Sequence, residues 1–102
     1  MKILITTAPE QEASALVEQL LNERLIGCGN ILPSMQSIYR WNGAVQRDQE
    51  VMIVMETTTK MSDNAFNRLR ELHSYEVPKI YTLDADRVLE SYLAWLSDET
   101  KG

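Results

Sequence analysis

Cysteine and histidine are nearly absent from this chain of 102 residues, which has one of each, Cys28 and His73. A single cysteine cannot form a disulfide within the chain, and free thiols are the rule in the reducing cytoplasm. A structural zinc site needs about four nitrogen or sulfur ligands, and a catalytic one about three protein ligands. The two residues therefore cannot make a zinc site within one chain, although copies in a symmetric oligomer could combine their ligands.

Basic residues are the minority among the charged ones, ten Lys and Arg against fifteen Asp and Glu, and the net charge is −5. Nucleic acids and anionic membrane surfaces bind basic patches, so neither is predicted as a partner. The apolar run in "MKILITTAPEQE" is too short for a signal peptide or a membrane span. We therefore predict a cytoplasmic protein.

Motifs of the common enzyme classes are also missing. The chain has no G-x-S-x-G nucleophile elbow, no Cys-His signature, no P-loop and no GxGxxG turn. The predicted strands "KILITTA" and "EVMIVMETTT" contain no aromatic residue on which RNA bases could stack. We predict that the chain is neither an enzyme nor an RNA-binding domain.

The composition is that of an ordinary globular protein, with 44% hydrophobic and 25% charged residues. Because no linker-like segment divides the sequence, it predicts one domain over residues 1–102. The β-branched run Lys2–Ala8 predicts a strand. Thr7 and Glu10 have the spacing of a capping box that would start a helix, and Gly27 would end it. The apolar face of this helix would consist of Ala13, Leu16, Val17, Leu20, Leu21 and Leu25.

The middle of the chain has the pattern of a long hairpin. "CGNILP" and "MQSIYRW" predict extended chain with a bend or bulge at Pro33-Ser34, because proline has no amide hydrogen to donate. Asn42-Gly43 is a strong signal for a two-residue turn, which needs positive φ at both positions. The returning strand ends in "EVMIVMETTT", where five consecutive apolar residues indicate a central strand covered on both faces.

The last part of the chain predicts helix, strand and helix. "SDNAFNRLRELHS" has Phe66, Leu69 and Leu72 at helical spacing, and "KIYTLDA" after Pro78 has the composition of a strand. The third helix is predicted from Val88 or Leu89, Tyr92, Trp95 and Leu96. The order is then β-α-β-β-α-β with a C-terminal helix. This is an α+β, ferredoxin-like fold in which two helices pack on one face of an antiparallel sheet.

The predicted hairpin is longer than the rest of the domain. Two strands of about 14 residues span roughly 45 Å, whereas the first helix, at about 17 residues, covers only ~25 Å. The tip would therefore overhang the sheet and leave four apolar side chains in solvent, those of Ile38, Tyr39, Trp41 and Val45. Such a surface with free strand edges favours oligomerisation by edge pairing over a short flexible ribbon whose Tyr and Trp pack on each other.

The two unique residues have ordinary structural roles on spacing alone. His73 borders the apolar face in the last predicted turn of the second helix, where an imidazolium would interact favourably with the helix C-terminus. Cys28 lies at a helix-to-strand junction, where a small buried side chain is the common role of cysteine.

Several stretches occur together and in order: "ERLIGCGNILP", "SIYRWNG" followed by "EVMIVMETT", "LHSYEVPKI" and "SYLAWL". In this combination the chain resembles the CutA divalent-cation tolerance family over nearly its whole length. The residues that match the motifs of the family are Tyr39, Trp41 and Gly43 in the hairpin, Glu50 in the central strand, His73, Tyr75, Glu76, Val77 and Pro78 after the second helix, and Tyr92 and Trp95 in the last helix.

The resemblance implies a homotrimer of ferredoxin-like subunits, in which the hairpin reaches onto a neighbour and clefts lie between subunits, as in PII signalling proteins. It also implies tolerance of copper and other divalent cations, with cysteine and histidine proposed as metal ligands. On this resemblance the metal ligands are His73 and Cys28, with Glu76 beside them. The predicted cleft residues are Tyr39, Trp41, Tyr75 and Glu76.

The chain departs from the family's pattern at several positions. Ser74 stands where many members have proline, Lys79 where an acidic residue is common, and Glu56 where lysine is frequent. Thr6 lies near the position at which some members carry a cysteine, so that thiol ligand is absent. Two other predictions therefore stay open: a PII-like module that binds a small molecule or peptide without metal, and a trimeric scaffold without a ligand. The pocket of the module would be lined by Tyr39, Trp41, Tyr75 and Glu56.

Overall fold

The computed structural model describes residues 1–100, which form three helices and one antiparallel sheet of five strands. In chain order the elements are β1 (Lys2–Ala8), α1 (Glu10–Asn22), β2 (Cys28–Ile31), β3 (Met35–Trp41), β4 (Ala44–Thr57), α2 (Ser62–Leu72), β5 (Ile80–Asp84) and α3 (Glu90–Glu99). Within the described residues no helix has the length and apolar character needed to cross a membrane.

The central strand of the sheet is β4, as the sequence predicts. The strand order is β2-β4-β1-β5, and β3 pairs with the outer half of β4. Alternate residues of β1 and β4 share one face, and they form a single apolar core with α1 and α2. Its fully buried side chains include Leu4, Leu20, Ile53, Met55 and Leu69. The predicted α+β, ferredoxin-like arrangement is confirmed.

The predicted capping box at the start of α1 is wrong. The helix begins at Glu10 with Pro9 at its N-cap, and within residues 1–100 no side chain makes a hydrogen bond at that cap. Thr7 stays in β1, where it pairs with Met52 and is 2% exposed. Because Thr7 is held in the sheet two residues before the N-cap, it does not cap the helix.

The end of α1 lies at Asn22, before the predicted stop at Gly27. Arg24 has a φ of 60°, and its amide donates to the carbonyl of Leu21 over 3.0 Å. This left-handed turn ends the helix, although glycine is more usual at such a position. Gly27 is required for packing instead, because a Cβ there would lie 2.3 Å from Leu96 Cδ1 of α3.

A bulge separates β2 from β3. Ile31 pairs with Ile53, whereas Met35 pairs with Glu50, so the β2–β3 side has one residue more than β4 between the two ladders. The extra residue lies around Pro33, which confirms the interruption that the sequence predicts.

The long hairpin overhangs the rest of the domain. Its turn residues Asn42 and Gly43 have φ values of 50° and 79°, as a two-residue turn requires. The molecule measures 45 × 25 × 22 Å, and Ile38 and Val45 on the hairpin are 54% and 60% exposed. The predicted overhang is therefore present.

The second face of the sheet is open within one chain, so the prediction that the central strand is covered on both faces is wrong for a single subunit. Met52 and Val54 are half-buried, and Tyr81 and Leu83 of β5 are exposed. Ile5 of β1 pairs with both Val54 and Tyr81. An apolar row thus crosses three strands on the side opposite α1 and α2.

Candidate functional site

A cleft of about 480 Å³ lies between one face of the hairpin and the segment that follows α2. It brings together the four predicted cleft residues, Tyr39, Trp41, Tyr75 and Glu76. All four come from the same chain, so the cleft forms within a single chain. The other lining residues are Thr7, Ser37, Ile38, Asp48, Glu50, Val77 and Lys79.

The hairpin register places two carboxylates beside the aromatic residues. Ser37 pairs with Asp48, and Met35 pairs with Glu50. Residues two apart on a strand share a face, so Tyr39 lies on the same side as both carboxylates. Sequence reasoning missed Asp48 and did not place Glu50 in the cleft. The two-residue turn was the available signal, because it fixes which residues of the two strands face each other.

Two tyrosine hydroxyls donate to these carboxylates. Tyr75 donates to Glu50 with 2.8 Å between the oxygens, and Tyr39 donates to Asp48. Partial burial and the hydrogen bond to Glu50 raise the pKa of Tyr75, and the hydrogen bond to Asp48 raises the pKa of Tyr39. Both tyrosines therefore stay protonated at neutral pH and act as donors.

Glu50 is a buried carboxyl group, with 7% of the residue exposed. Within residues 1–100 its side chain has no ion pair, and its hydrogen-bond donor is the neutral hydroxyl of Tyr75. An ionised carboxylate is costly to bury unless it is paired and well hydrogen-bonded. Glu76 and Lys79, at the exposed rim, also form no ion pair in the described part of the chain. The cleft thus has an acidic floor with acceptor capacity to spare.

His73 is the C-cap of α2, with φ −69° and ψ 137°, one residue beyond the last turn in which the sequence places it. The residue is 8% exposed. Its Nδ1 accepts a hydrogen bond from the amide of Tyr75 at 3.2 Å, and its Nε2 lies 2.8 Å from the carbonyl oxygen of Thr7. With Nδ1 as acceptor the imidazole is neutral and Nε2–H donates, in contrast to the imidazolium expected at a helix end. The ring therefore ties β1 to the segment that carries Tyr75.

The two predicted metal ligands lie beside different parts of β4. His73 contacts Thr7, which pairs with Met52, whereas Cys28 pairs with Glu56, four residues and roughly 13 Å further along. Residues 1–100 contain no group of three or more His, Cys, Asp or Glu side chains that could hold a metal ion. Because both ring nitrogens of His73 are also in hydrogen bonds, the donors of one chain do not fit a divalent cation.

Glu56, which the sequence predicts for the pocket of the PII-like module, does not line this cleft of one chain. Its carboxylate accepts a hydrogen bond from Tyr92 of α3, and this bond raises the pKa of Tyr92. Nearby Cys28 is half-buried, and its Sγ accepts from Asn30 Nδ2 at 3.7 Å. This end of the sheet forms a separate polar cluster that holds α3.

Comparison with known proteins places the chain in a family. The family described as CutA1 divalent ion tolerance protein matches residues 1–99. The chain belongs to this family. The divalent-cation tolerance protein CutA of Pyrococcus horikoshii is 42% identical over 102 residues, 99% of either chain. The protein of the same name from Thermus thermophilus is 40% identical over 98 residues, 96% of this chain and 95% of the relative.

Solved CutA structures share the fold. A crystal structure of a CutA1 variant from Pyrococcus horikoshii is 41% identical, with a TM-score of 0.95 and full coverage of both chains. The CutA of Nostoc sp. PCC 7120, described as a PII-like protein, is 30% identical with a TM-score of 0.93, over 99% of this chain and 98% of that one. The resemblance that the motifs indicate is therefore confirmed.

Proposed function

We propose that this chain functions in divalent-cation tolerance as a homotrimer. The assembly is supported by the apolar surface that one chain leaves open on the second face of the sheet and on the hairpin. Exposed members of this surface are Ile38, Val45, Tyr81 and Leu83. The edge strands β2 and β5 each have one unpaired side within the described residues. Three copies around a common axis would cover the open face and the strand edges.

Sedimentation equilibrium tests the assembly. At micromolar concentration the wild-type protein should have three times the mass of one chain. Leu83→Lys should dissociate the trimer, because the variant buries a charge in the contact between sheets. Leu21→Lys changes a side chain of similar exposure on α1 and should leave the mass unchanged. A monomeric wild type would overturn the assembly.

The second part of the proposal is that the trimer binds copper or another divalent cation with ligands from more than one subunit. The name of the family supports the cation, and the dispersed donors within one chain support the sharing of ligands. Of the two residues that the sequence predicts, Cys28 has the more available donor atom, because both ring nitrogens of His73 are in hydrogen bonds.

Calorimetric titration with Cu²⁺ and Zn²⁺ tests metal binding. Cys28→Ser should weaken binding by the trimer at least tenfold, because a hydroxyl is a much poorer ligand than a thiolate. His73→Gln tests the other ligand while keeping a polar side chain at the buried position. Unchanged affinity in both variants would overturn this assignment of ligands, and a silent wild type would overturn direct binding.

A second candidate function is a PII-like module that binds a small molecule, and the cleft is the observation that favours it. Its volume of about 480 Å³ is within the range of ~300–1,000 Å³ that is common for small-molecule sites. Thermal-shift screening of metabolites against metals separates the two functions. A metabolite that stabilises the wild type but not Trp41→Ala would support the module. A response to metals alone would support the first function, and silence in both screens would favour a scaffold.

We propose a cytoplasmic location and no catalytic activity. The family is named for tolerance and not for a reaction. Descriptions of relatives differ in location, since the Arabidopsis thaliana protein is chloroplastic and the Archaeoglobus fulgidus protein is periplasmic. Fractionation of cells that make the protein, with detection by antibody, tests the location.

A further inference from the structure

We propose that the cleft binds a small organic cation, an alkylammonium or alkylguanidinium compound. The aromatic faces of Tyr39, Trp41 and Tyr75 would surround its charged group, and the carboxylates of Asp48 and Glu50 would accept its N–H hydrogen bonds. This proposal rests on the second candidate function, the cleft as a binding site, and names the class of ligand.

The aromatic side chains of the cleft are suited to a cation. Tyr39, Trp41 and Tyr75 line one cavity, and the hydroxyls of both tyrosines are fixed by hydrogen bonds to carboxylates. Trp41 remains 43% exposed at the outer end of the hairpin. The faces of Trp and Tyr attract cations within about 6 Å of the ring centroid. Three rings around one space, two of them held in place, would cost little ordering when a ligand enters.

The charges of the cleft are unbalanced. Its lining has three carboxylates, those of Asp48, Glu50 and Glu76, and one ammonium group, that of Lys79. No ion pair joins Lys79 to any of these carboxylates within residues 1–100. An ionised carboxylate can accept about four hydrogen bonds. Asp48 and Glu50 each accept one from a tyrosine side chain, so sites remain for the N–H groups of a ligand.

The burial of Glu50 without an ion pair within residues 1–100 is the strongest single observation in favour of a cationic ligand. Glu50 lines the cavity, only 7% of the residue is exposed, and within residues 1–100 its carboxylate forms no ion pair. A buried carboxylate gains most from a charged hydrogen-bond donor. A bare metal ion fits less well, because among residues 1–100 no three His, Cys, Asp or Glu side chains converge here and the cavity is far larger than an ion needs. An organic cation supplies charge, donors and volume together.

Titration of butylguanidinium and butylurea into the protein tests the proposal. The two probes have nearly the same shape, but only butylguanidinium is charged. Trp95→Phe leaves Trp41 as the sole tryptophan of the full chain, so its fluorescence reports on the cleft. Butylguanidinium should change this fluorescence saturably and bind at least tenfold more tightly than butylurea.

Two variants locate the site. Glu50→Gln keeps an acceptor for Tyr75 but removes the charge, and it should weaken butylguanidinium binding at least tenfold. Glu18→Gln, on the exposed side of α1, makes the same change of net charge and should bind as the wild type does. Trp41→Leu, measured by calorimetry, should also weaken binding of butylguanidinium. This variant changes an exposed residue and therefore leaves the buried carboxylate of Glu50 in place. Circular dichroism confirms that each variant is folded.

Equal affinity for butylguanidinium and butylurea would overturn the proposal, and so would binding that neither Glu50→Gln nor Trp41→Leu weakens. Absence of binding by both probes would overturn it as well. The proposed functions are judged by other results, because a neutral or anionic metabolite that stabilises the wild type would keep the cleft as a binding site. Copper or zinc binding would likewise keep the first function while the organic cation fails.

Discussion

The two halves of β4 belong to different kinds of structure. From Val51 to Thr57 the strand lies between β1 and β2, and its alternate side chains are buried beneath the helices. From Ala44 to Gln49 it pairs with β3 alone, and every residue is exposed. One strand thus joins the part of the chain that is stabilised by its own core to a part whose residues are exposed.

The largest difference between the two halves should appear on truncation of apolar side chains. Leu4→Ala, in the core beside β4, should lower the free energy of unfolding by about 2–5 kcal/mol, because Leu4 is fully buried and leaves a cavity. Ile38→Ala on the hairpin should change the stability of one chain by less than ~0.5 kcal/mol. Urea unfolding of both variants, each made in the Leu83→Lys background in which the chains should be separate, measures this difference. Equal losses would mean that the hairpin is also part of a core.

The strands and the turn could be predicted because their signals are local. The β-branched run Lys2–Ala8 and the turn residues Asn42 and Gly43 are signals that require no knowledge of distant residues. The role of Gly27 could not be predicted, because the atom that it must avoid belongs to Leu96 in another helix. The failure of Thr7 to cap α1 has the same origin, since the sheet holds that residue.

The site could be predicted in part. The motif places Tyr39, Trp41 and Tyr75 together, and the structure brings all three into one cleft. The acidic floor was missed because only the pairing register of the hairpin shows that Asp48 and Glu50 lie on the same face as Tyr39. The prediction that cysteine and histidine share a metal rested on the resemblance to the family, and the identity of the two residues does not show how far apart the fold places them.

Two glycines offer a second contrast between the halves. A Cβ at Gly29 in β2 would lie 2.6 Å from Val17 Cγ1, whereas a Cβ at Gly43 would meet no atom within 4 Å. Gly29→Ala should therefore destabilise by about 1–3 kcal/mol through overpacking. Gly43→Ala should cost about 1 kcal/mol, because its φ of +79° is unfavourable for alanine.

A double variant separates the two causes. Adding Val17→Ala should recover part of the stability lost by Gly29→Ala, because it removes the clashing methyl groups. The same addition should recover nothing for Gly43→Ala, which is too distant to couple with Val17. Thermal unfolding of the single and double variants gives the coupling energy. Strict additivity at both glycines would contradict the overpacking.

The two tyrosine hydroxyls donate to one buried and one exposed carboxylate, and removing each hydroxyl should lower the stability by different amounts. Tyr75→Phe takes the donor from Glu50, which is 7% exposed, and should destabilise by about 1–3 kcal/mol. Tyr39→Phe removes the donor to Asp48, but Asp48 is exposed and water can take the place of that donor. The free energy of unfolding should therefore change by less than ~0.5 kcal/mol. Urea unfolding at neutral pH measures both variants. A larger loss in Tyr39→Phe would show that the tip of the hairpin is less open than the structure of one chain indicates.

The smallest effect is expected from a carboxylate that already has its cation. Arg68 of α2 holds Glu23 through two guanidinium nitrogens, Nε at 2.8 Å and the terminal nitrogen at 2.9 Å. This hydrogen bonding lowers the pKa of Glu23 from its usual 4.5. A lowered carboxyl pKa contributes stability that is present above the unfolded pKa and is lost as the pH falls through the folded one.

The stability difference between wild type and Glu23→Gln should therefore exist at pH 7, shrink as the pH falls below about 4.5 and vanish in stronger acid. The difference should also shrink in 1 M salt, because the Debye length is then about 3 Å and exposed charges are screened from each other. Glu18→Gln, without an ion pair among residues 1–100, should show neither dependence. A difference that persists at pH 2 would contradict the ion pair as its cause. Glu23 obtains its cation from Arg68 of the same chain, whereas Glu50 has no such ion pair among residues 1–100.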